Sequence, residues 1–273
     1  MRRLLSTLVL ALAPLTSAAQ TEVDLELVLA VDISRSMDQG ELRLQRDGYV
    51  AALRDPEVHH VIAQGLLGRI AVLYVEWSGP STVIPLGGWT LIDGPAAAGA
   101  LADQLAESRL NSGVGTSISG AIDFAVSAFR DNGFDGMRRV IDISGDGPNN
   151  GGRPVTEARD EALAEGIAIN GLPVMLRPGG PPFGLAELDV YYEDCVIGGP
   201  FAFALPVRAP ENFAETIRRK LILDIAAAPD DAPDAAAVVP VQYGLAPPTA
   251  GPRVDCLIGE TLRRRWMQQR WGD

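Results

Sequence analysis

Short apolar runs alternate with amphipathic stretches along most of the chain. "LELVLAVD" (25–32) reads as a strand destined for the core. Gln39 to Arg54 predicts a helix with Leu42, Tyr49, Val50 and Leu53 on one face. "RIAVLYVEW" (69–77) is a second strand. "STVIPLGGWTLI" (81–92) is an adjoining strand or hairpin arm, placed at an edge by Pro85, which cannot donate to a ladder. Pro95 to Arg109 predicts an Ala-rich helix. From Thr116 to Arg130, residues Ile118, Ile122, Ala125, Val126 and Phe129 recur at helical spacing. "RRVIDIS" (138–144) is a strand, Pro154 to Glu165 a helix opened by proline, and "IAINGLPVML" (167–176) a strand. "FAFALPV" (201–207) is a weaker last strand, and Glu211 to Ala227 a helix carrying Phe213, Ile217, Leu221 and Ile225 along one side.

Strand–helix alternation of this kind predicts an α/β, doubly wound fold: a mostly parallel central sheet, helices on both faces, and a C-terminal extension. Ligands of such sheets sit in the crevice at the carboxyl ends of the strands, so the loops that follow strands are where chemistry is expected.

The two ends of the chain break the pattern. Residues 1–19 carry Arg2 and Arg3, an apolar run from Leu4 to Leu15 and a small-residue stretch, Ser17-Ala18-Ala19, the pattern of a cleaved secretory signal peptide. That run is shorter than the ~20 residues a membrane-spanning helix needs, and no second candidate span follows. The expected product is an exported, periplasmic or secreted chain whose main domain is 20–227. Residues 228–252, rich in Ala, Pro and Asp, form a linker to a helical tail at 253–273, which places Arg263, Arg264, Arg265 and Arg270 beside Trp266 and Trp271. Docking of these arginines on the acidic body, a partner or anionic lipid are the three readings, and docking on the body is preferred. The two cysteines, Cys195 and Cys256, are expected to pair in an exported chain, which would tether the tail.

Charge narrows the function. The 273 residues carry a formal net charge of -12, with a single lysine, Lys220, among 23 basic residues. Such a surface repels a nucleic-acid backbone, so generic nucleic-acid binding is not expected.

Three segments offer small oxygen ligands. Asp32, Ser34 and Ser36 follow the first strand, Thr116 follows the glycine-rich "NSGVG", and Asp146 lies immediately beyond "VIDISG". Taken singly, each has a plain alternative: Asp32, Ser34 or Thr116 as a helix cap, and "GDGPNN" as a turn. Taken together, on adjacent parallel strands and a covering loop, two carboxylates and three hydroxyls suit a hard divalent cation, Mg2+ or Mn2+, held through oxygen with waters in place. Glu76 and Trp77, ending the neighbouring strand, are candidate partner-binding residues at its rim, with Trp77 as core packing the alternative. Asp142, inside an apolar strand, requires a partner if buried, and Arg35 is the candidate.

"DISRS" matches the D-x-S-x-S motif of von Willebrand factor type A domains, "GVGTSISGAI" resembles their glycine-threonine segment, and "VIDISGDGPNN" resembles the strand that leads to their D-G and a later Asn. The resemblance covers about Glu22 to Ala227. It implies a metal-ion-dependent adhesion site in which Ser34 and Ser36 coordinate the ion directly, Asp32, Thr116 and Asp146 bind it directly or through water, and a partner's Asp or Glu completes the shell. The chain departs from the pattern at Gly145, where Ser or Thr is usual.

The leading reading is therefore an exported, metal-dependent protein-binding module. The alternatives are a Mg2+-dependent hydrolase of phosphate esters and a structural domain with a vestigial metal site. For an enzyme the sequence offers neither a phosphate-binding G-x-x-x-x-G-K-[ST] loop nor a G-x-S-x-G nucleophile elbow.

Overall fold

The computed structural model describes residues 20–177, 184–226 and 253–271. In chain order the first half comprises β1 (Thr21–Val23), β2 (Leu25–Asp32), α1 (Gln39–Leu53), α2 (Pro56–Ala63), β3 (Ile70–Trp77), β4 (Val83–Pro85), β5 (Thr90–Ile92) and α3 (Pro95–Glu107). The second half comprises α4 (Ile118–Ala128), β6 (Phe134–Gly136), β7 (Arg139–Gly145), α5 (Val155–Ala164), β8 (Ile167–Pro173), α6 (Leu188–Tyr191), α7 (Phe213–Ala226) and α8 (Ile258–Trp271). The expected signal segment, 1–19, and the whole of the expected linker, 228–252, lie outside the described residues.

The main sheet runs β4-β3-β2-β7-β8, with β3, β2, β7 and β8 parallel and β4 and β5 both antiparallel to β3. β2 lies at its centre because every one of its residues is buried, the pattern a strand needs when helices cover both faces. Alternation divides its side chains between two cores. Leu25, Leu27, Leu29 and Val31 pack with Tyr49 and Leu53 of α1, Leu101 of α3 and Ile217 of α7. Val28 and Ala30 face Ile122 and Ala125 of α4 and Ala158 and Ala162 of α5. No described helix is long and apolar enough to cross a membrane.

Two local expectations change, and two small features are new. The segment 81–92 is not one arm but two short strands, β4 and β5, each pairing with a different end of β3. Beyond α1, Pro56–Ala63 form a separate helix, α2, which Asp55 caps and Pro56 opens and which carries His59 and His60. β1 and β6, three residues each, form a small parallel pair of their own. "FAFALPV" makes only isolated bridges, Ala204 with Gly171 and Val207 with Val174, because Pro206 has no N–H to extend a ladder.

The tail is docked on the body. Cys195 and Cys256, separated by 61 positions in sequence, form a disulfide. Next to it Arg253 pairs with Glu193 at 2.5 Å and with Asp194 at 2.8 Å.

Candidate functional site

Strand register brings the first and third ligand segments together. β2 pairs with β7 so that Val31 stands opposite Ser144, which sets Asp32 level with Gly145 and one residue short of Asp146. The second segment arrives by a different route. Gly113 forms a parallel bridge with Ser34, its N–H donating to the Ile33 carbonyl at 2.8 Å and its carbonyl accepting from Arg35 at 2.9 Å. That contact delivers the following loop, including Thr116, to the same end of the sheet.

Four of the five residues share one hydrogen-bonded run. The Ser34 N–H donates to Asp32 Oδ1 at 2.7 Å, the Ser34 and Ser36 hydroxyls lie 2.8 Å apart, and Ser36 Oγ donates to Asp146 Oδ1 at 2.6 Å. Thr116 lines the same cleft as Ser34 and Ser36 and is fixed by Asn150: its N–H donates to Asn150 Oδ1 at 3.0 Å, and its carbonyl accepts from the Asn150 N–H at 2.8 Å. The capping alternatives fall to neighbouring residues. Asp38, not Asp32 or Ser34, caps α1 in a reciprocal capping box with Glu41. Ser117, not Thr116, caps α4, accepting from the Gly120 N–H.

The electrostatics of the cluster are those of a site short of positive charge. Asp32 is fully buried and its Oδ2 has no hydrogen-bond partner. Burial first, and the nearby Asp146 carboxylate second, push its carboxyl well above the usual carboxylate range. Burial likewise pushes Asp146 up to about 6, against the opposing pull of the Ser36 hydroxyl. No group of three or more His, Cys, Asp or Glu side chains is placed to hold a metal ion among the described residues. The donor set is instead two carboxylates with hydroxyls, a set that fits a hard divalent cation seeking oxygen rather than a soft one seeking nitrogen or sulfur.

Two expectations about the surroundings are corrected. Glu76 and Trp77 do not form a rim, because β3 is covered on both faces: Trp77 is wholly buried in the core beneath α4, and Glu76 points the opposite way. There Glu76 forms a buried ion pair with Arg46 of α1 and accepts from Asn111 Nδ2 at 2.7 Å. Asp142 is buried, but its partner is Lys220 of α7 at 2.8 Å rather than Arg35, which reaches the cleft instead.

Other residues of the site carried no sequence signal strong enough to single them out. Gln45 of α1 ties the two central strands together, its Nε2 donating to the Asp32 carbonyl at 2.9 Å and its Oε1 accepting from Ser144 Oγ at 2.6 Å. Arg177 clamps the serine loop by donating to the Ser36 carbonyl at 2.5 Å and pairing with Glu41. Tyr192 lies against Gly145, and α8 closes one side of the cleft.

Residues 22–229 match the model of a family described as "Protein of unknown function (DUF1194)". No curated protein matches the chain. Among solved structures, the chain is similar to proximal thread matrix protein 1 from the mussel byssus, a structure described with a zinc-occupied MIDAS motif. There the identity is 14%, the TM-score 0.56, and coverage 76% of this chain and 49% of that one. It is similar also to the pilus adhesin SpaC of Lactobacillus rhamnosus GG, at 12% identity and TM-score 0.55, covering 74% and 31%. A von Willebrand factor type A protein from Catenulispora acidiphila matches at 15% identity and TM-score 0.50, covering 75% and 43%. The chain thus spans about half or less of the length of these relatives, and at such identities the likeness establishes the fold: that of von Willebrand factor type A domains.

Proposed function

The chain belongs to the DUF1194 family, and from the fold it shares with von Willebrand factor type A domains we propose that it is an exported, metal-dependent protein-binding module. Asp32, Ser34, Ser36, Thr116 and Asp146 would hold Mg2+ or Mn2+, and a bound cation of this kind supplies an open coordination position for a partner's Asp or Glu oxygen. The observation that carries this reading is the run Ser34–Ser36–Asp146, joined to an Asp32 whose Oδ2 is buried without a partner. Two buried carboxylates with raised proton affinity gain most from a cation, and the cleft beside them admits a ligand. The adhesin and the matrix protein among the structural neighbours are in keeping with a binding role, and the disulfide with an oxidising compartment.

Thermal unfolding tests the metal. Millimolar Mg2+ or Mn2+ should raise the melting temperature of chelator-stripped protein, by about 2.7 kcal/mol of stability at a hundredfold excess over Kd. Asp32→Ala should abolish the gain, and a melting curve indifferent to both ions sinks the proposal. Affinity capture with and without EDTA tests the binding role, since partners held through the ion should be lost on chelation.

A further inference from the structure

The cleft above the serine loop has a wall that the matched family region does not include. That region ends at residue 229, whereas Arg263, Trp266 and Met267 of α8 line a cavity of about 590 Å3 together with Ser34, Ser36 and Thr116. The helix is seated closely enough to serve as a fixed wall. A Cβ on Gly259 would lie 2.0 Å from the Asn149 carbonyl oxygen, so only glycine permits the approach. Glu260 accepts from Asn149 Nδ2 at 2.6 Å, Arg263 donates to the Asn150 carbonyl at 3.0 Å, and the disulfide holds the chain just before the helix.

The charge in this cleft runs against that of the whole chain. Three arginines, Arg35, Arg177 and Arg263, line it with a single acid, Asp38, in a protein of net charge -12. Arg177 is engaged with Glu41, and Asp38 is engaged in capping α1. Arg35 and Arg263 are exposed and have no carboxylate partner among the described residues; Arg263 uses one guanidinium nitrogen on a carbonyl and keeps other donors for a planar anion. Val114, Trp266 and Met267 add apolar surface, exposed by 66%, 38% and 42%.

Building on the metal-site reading above, we propose that α8 is a second recognition wall, and that the ligand is a protruding acidic peptide segment. One carboxylate goes to the ion, a second to Arg263 and Arg35, and an apolar side chain between them lies on Trp266 and Met267. A flat protein surface does not reach past α8, while a loop or chain end does. A cavity of this size accommodates a few side chains.

Two fluorescein-labelled pentapeptides test this in Mg2+ buffer: one with Asp, Leu and Gln in succession, so that Asp is its sole side-chain carboxylate, the other with Asp, Leu and Glu, both amidated. The intact chain should bind the second roughly tenfold more tightly or better, the effect of one charge-assisted hydrogen-bonded pair. Arg263→Gln should erase that preference while leaving the Mg2+ thermal shift and the weaker binding of the first peptide in place, which also shows the variant to be folded. Trp266→Ala should weaken binding of both peptides, since both carry the leucine, and leave the preference between them. Equal affinity for both peptides, no detectable binding of either, or a preference that survives Arg263→Gln overturns the proposed wall. Loss of the Mg2+ shift in the intact chain overturns the metal reading instead; a preference that persists in EDTA and still depends on Arg263 would then assign the wall without the ion.

Discussion

Tyr192 occupies the space that a side chain at position 145 would need. A Cβ on Gly145 would lie 3.0 Å from Tyr192 Oη, 3.1 Å from Asp32 Oδ2 and 3.3 Å from Trp77 Cζ2. This accounts for the departure from the motif at residue 145, since a side chain there is crowded by Tyr192, which opens the short π-helical segment Tyr192–Val196 after α6. Gly145→Ala should therefore destabilise the protein by about 1–3 kcal/mol, the usual cost of overpacking a filled interior. Because the tyrosine oxygen is the nearest obstacle, the penalty should shrink in a Tyr192→Phe background. Urea unfolding of the four proteins of this cycle measures it, and an equal penalty in both backgrounds would assign the constraint to Asp32 and Trp77 instead.

Glu76 and Arg46 form a buried pair joining β3 to α1, and Arg46 also donates to the Leu105 carbonyl at 2.7 Å. Removal of one partner leaves the other charge uncompensated in the interior. Glu76→Ala should cost about 3–5 kcal/mol of stability. Since the pair is buried away from the cleft, the variant should retain its Mg2+-linked stabilisation below its melting temperature. A variant of unchanged stability that loses ligand binding would restore Glu76 to the rim.

These two cases show what the linear chain disclosed and what it withheld. The strands and most helices were legible because one periodicity fixes each: β2 as an apolar run, α4 as a stripe from Ile118 to Phe129. The meeting of Asp32, Ser34, Ser36 and Asp146 was legible because they sit at strand ends in short motifs. The burial of Trp77 was not, because a strand end reads as exposed until α4 is known to cover that face of β3. Nor was the choice of Lys220 over Arg35 for Asp142, which depends on α7 crossing the sheet 78 residues later in the chain. Nor was the placement of Arg263 in the cleft, which depends on a helix position that the disulfide and Gly259 fix in space.

Reduction of Cys195–Cys256 should act in two separable ways. Opening a loop of this length removes roughly 4 kcal/mol in the chain-entropy picture, which would be read as a lower denaturation midpoint. It also releases α8 from its anchor near residue 256, so trypsin should cut after Arg263, Arg264 or Arg265 faster in dithiothreitol while the body remains intact. Mass spectrometry of the early fragments identifies the sites. Cleavage at the same rate in oxidised and reduced protein would show that Arg253 and Glu260 hold the helix without the bond.

The buried trio of Asp142, Asp224 and Lys220 gives the fold a pH dependence of definite sign. Lys220 Nζ lies 2.8 Å from Asp142 Oδ1, close but not aligned as a hydrogen bond, and 3.1 Å from both oxygens of Asp224. Asn170 Nδ2 donates to Asp224 Oδ1 at 2.7 Å, and the ring of Phe203 lies under the ammonium. One cation thus faces two carboxylates. Burial pushes the Asp142 carboxyl up to about 7, Lys220 pulls it back down, and Asp224 pushes it further up. The folded state consequently holds a proton that the unfolded chain releases near the ordinary carboxylate pKa of about 4. This contribution to stability is complete below about pH 4 and is lost as the pH rises through about 7. Asp32 and Asp146 shift in the same direction when no cation is bound, so the informative quantity is the difference between two proteins. Between pH 5 and pH 8 the unfolding free energy of the wild type should fall more steeply than that of Asp142→Asn, which has no proton to lose at this position. Parallel curves would show that Lys220 keeps Asp142 ionised throughout.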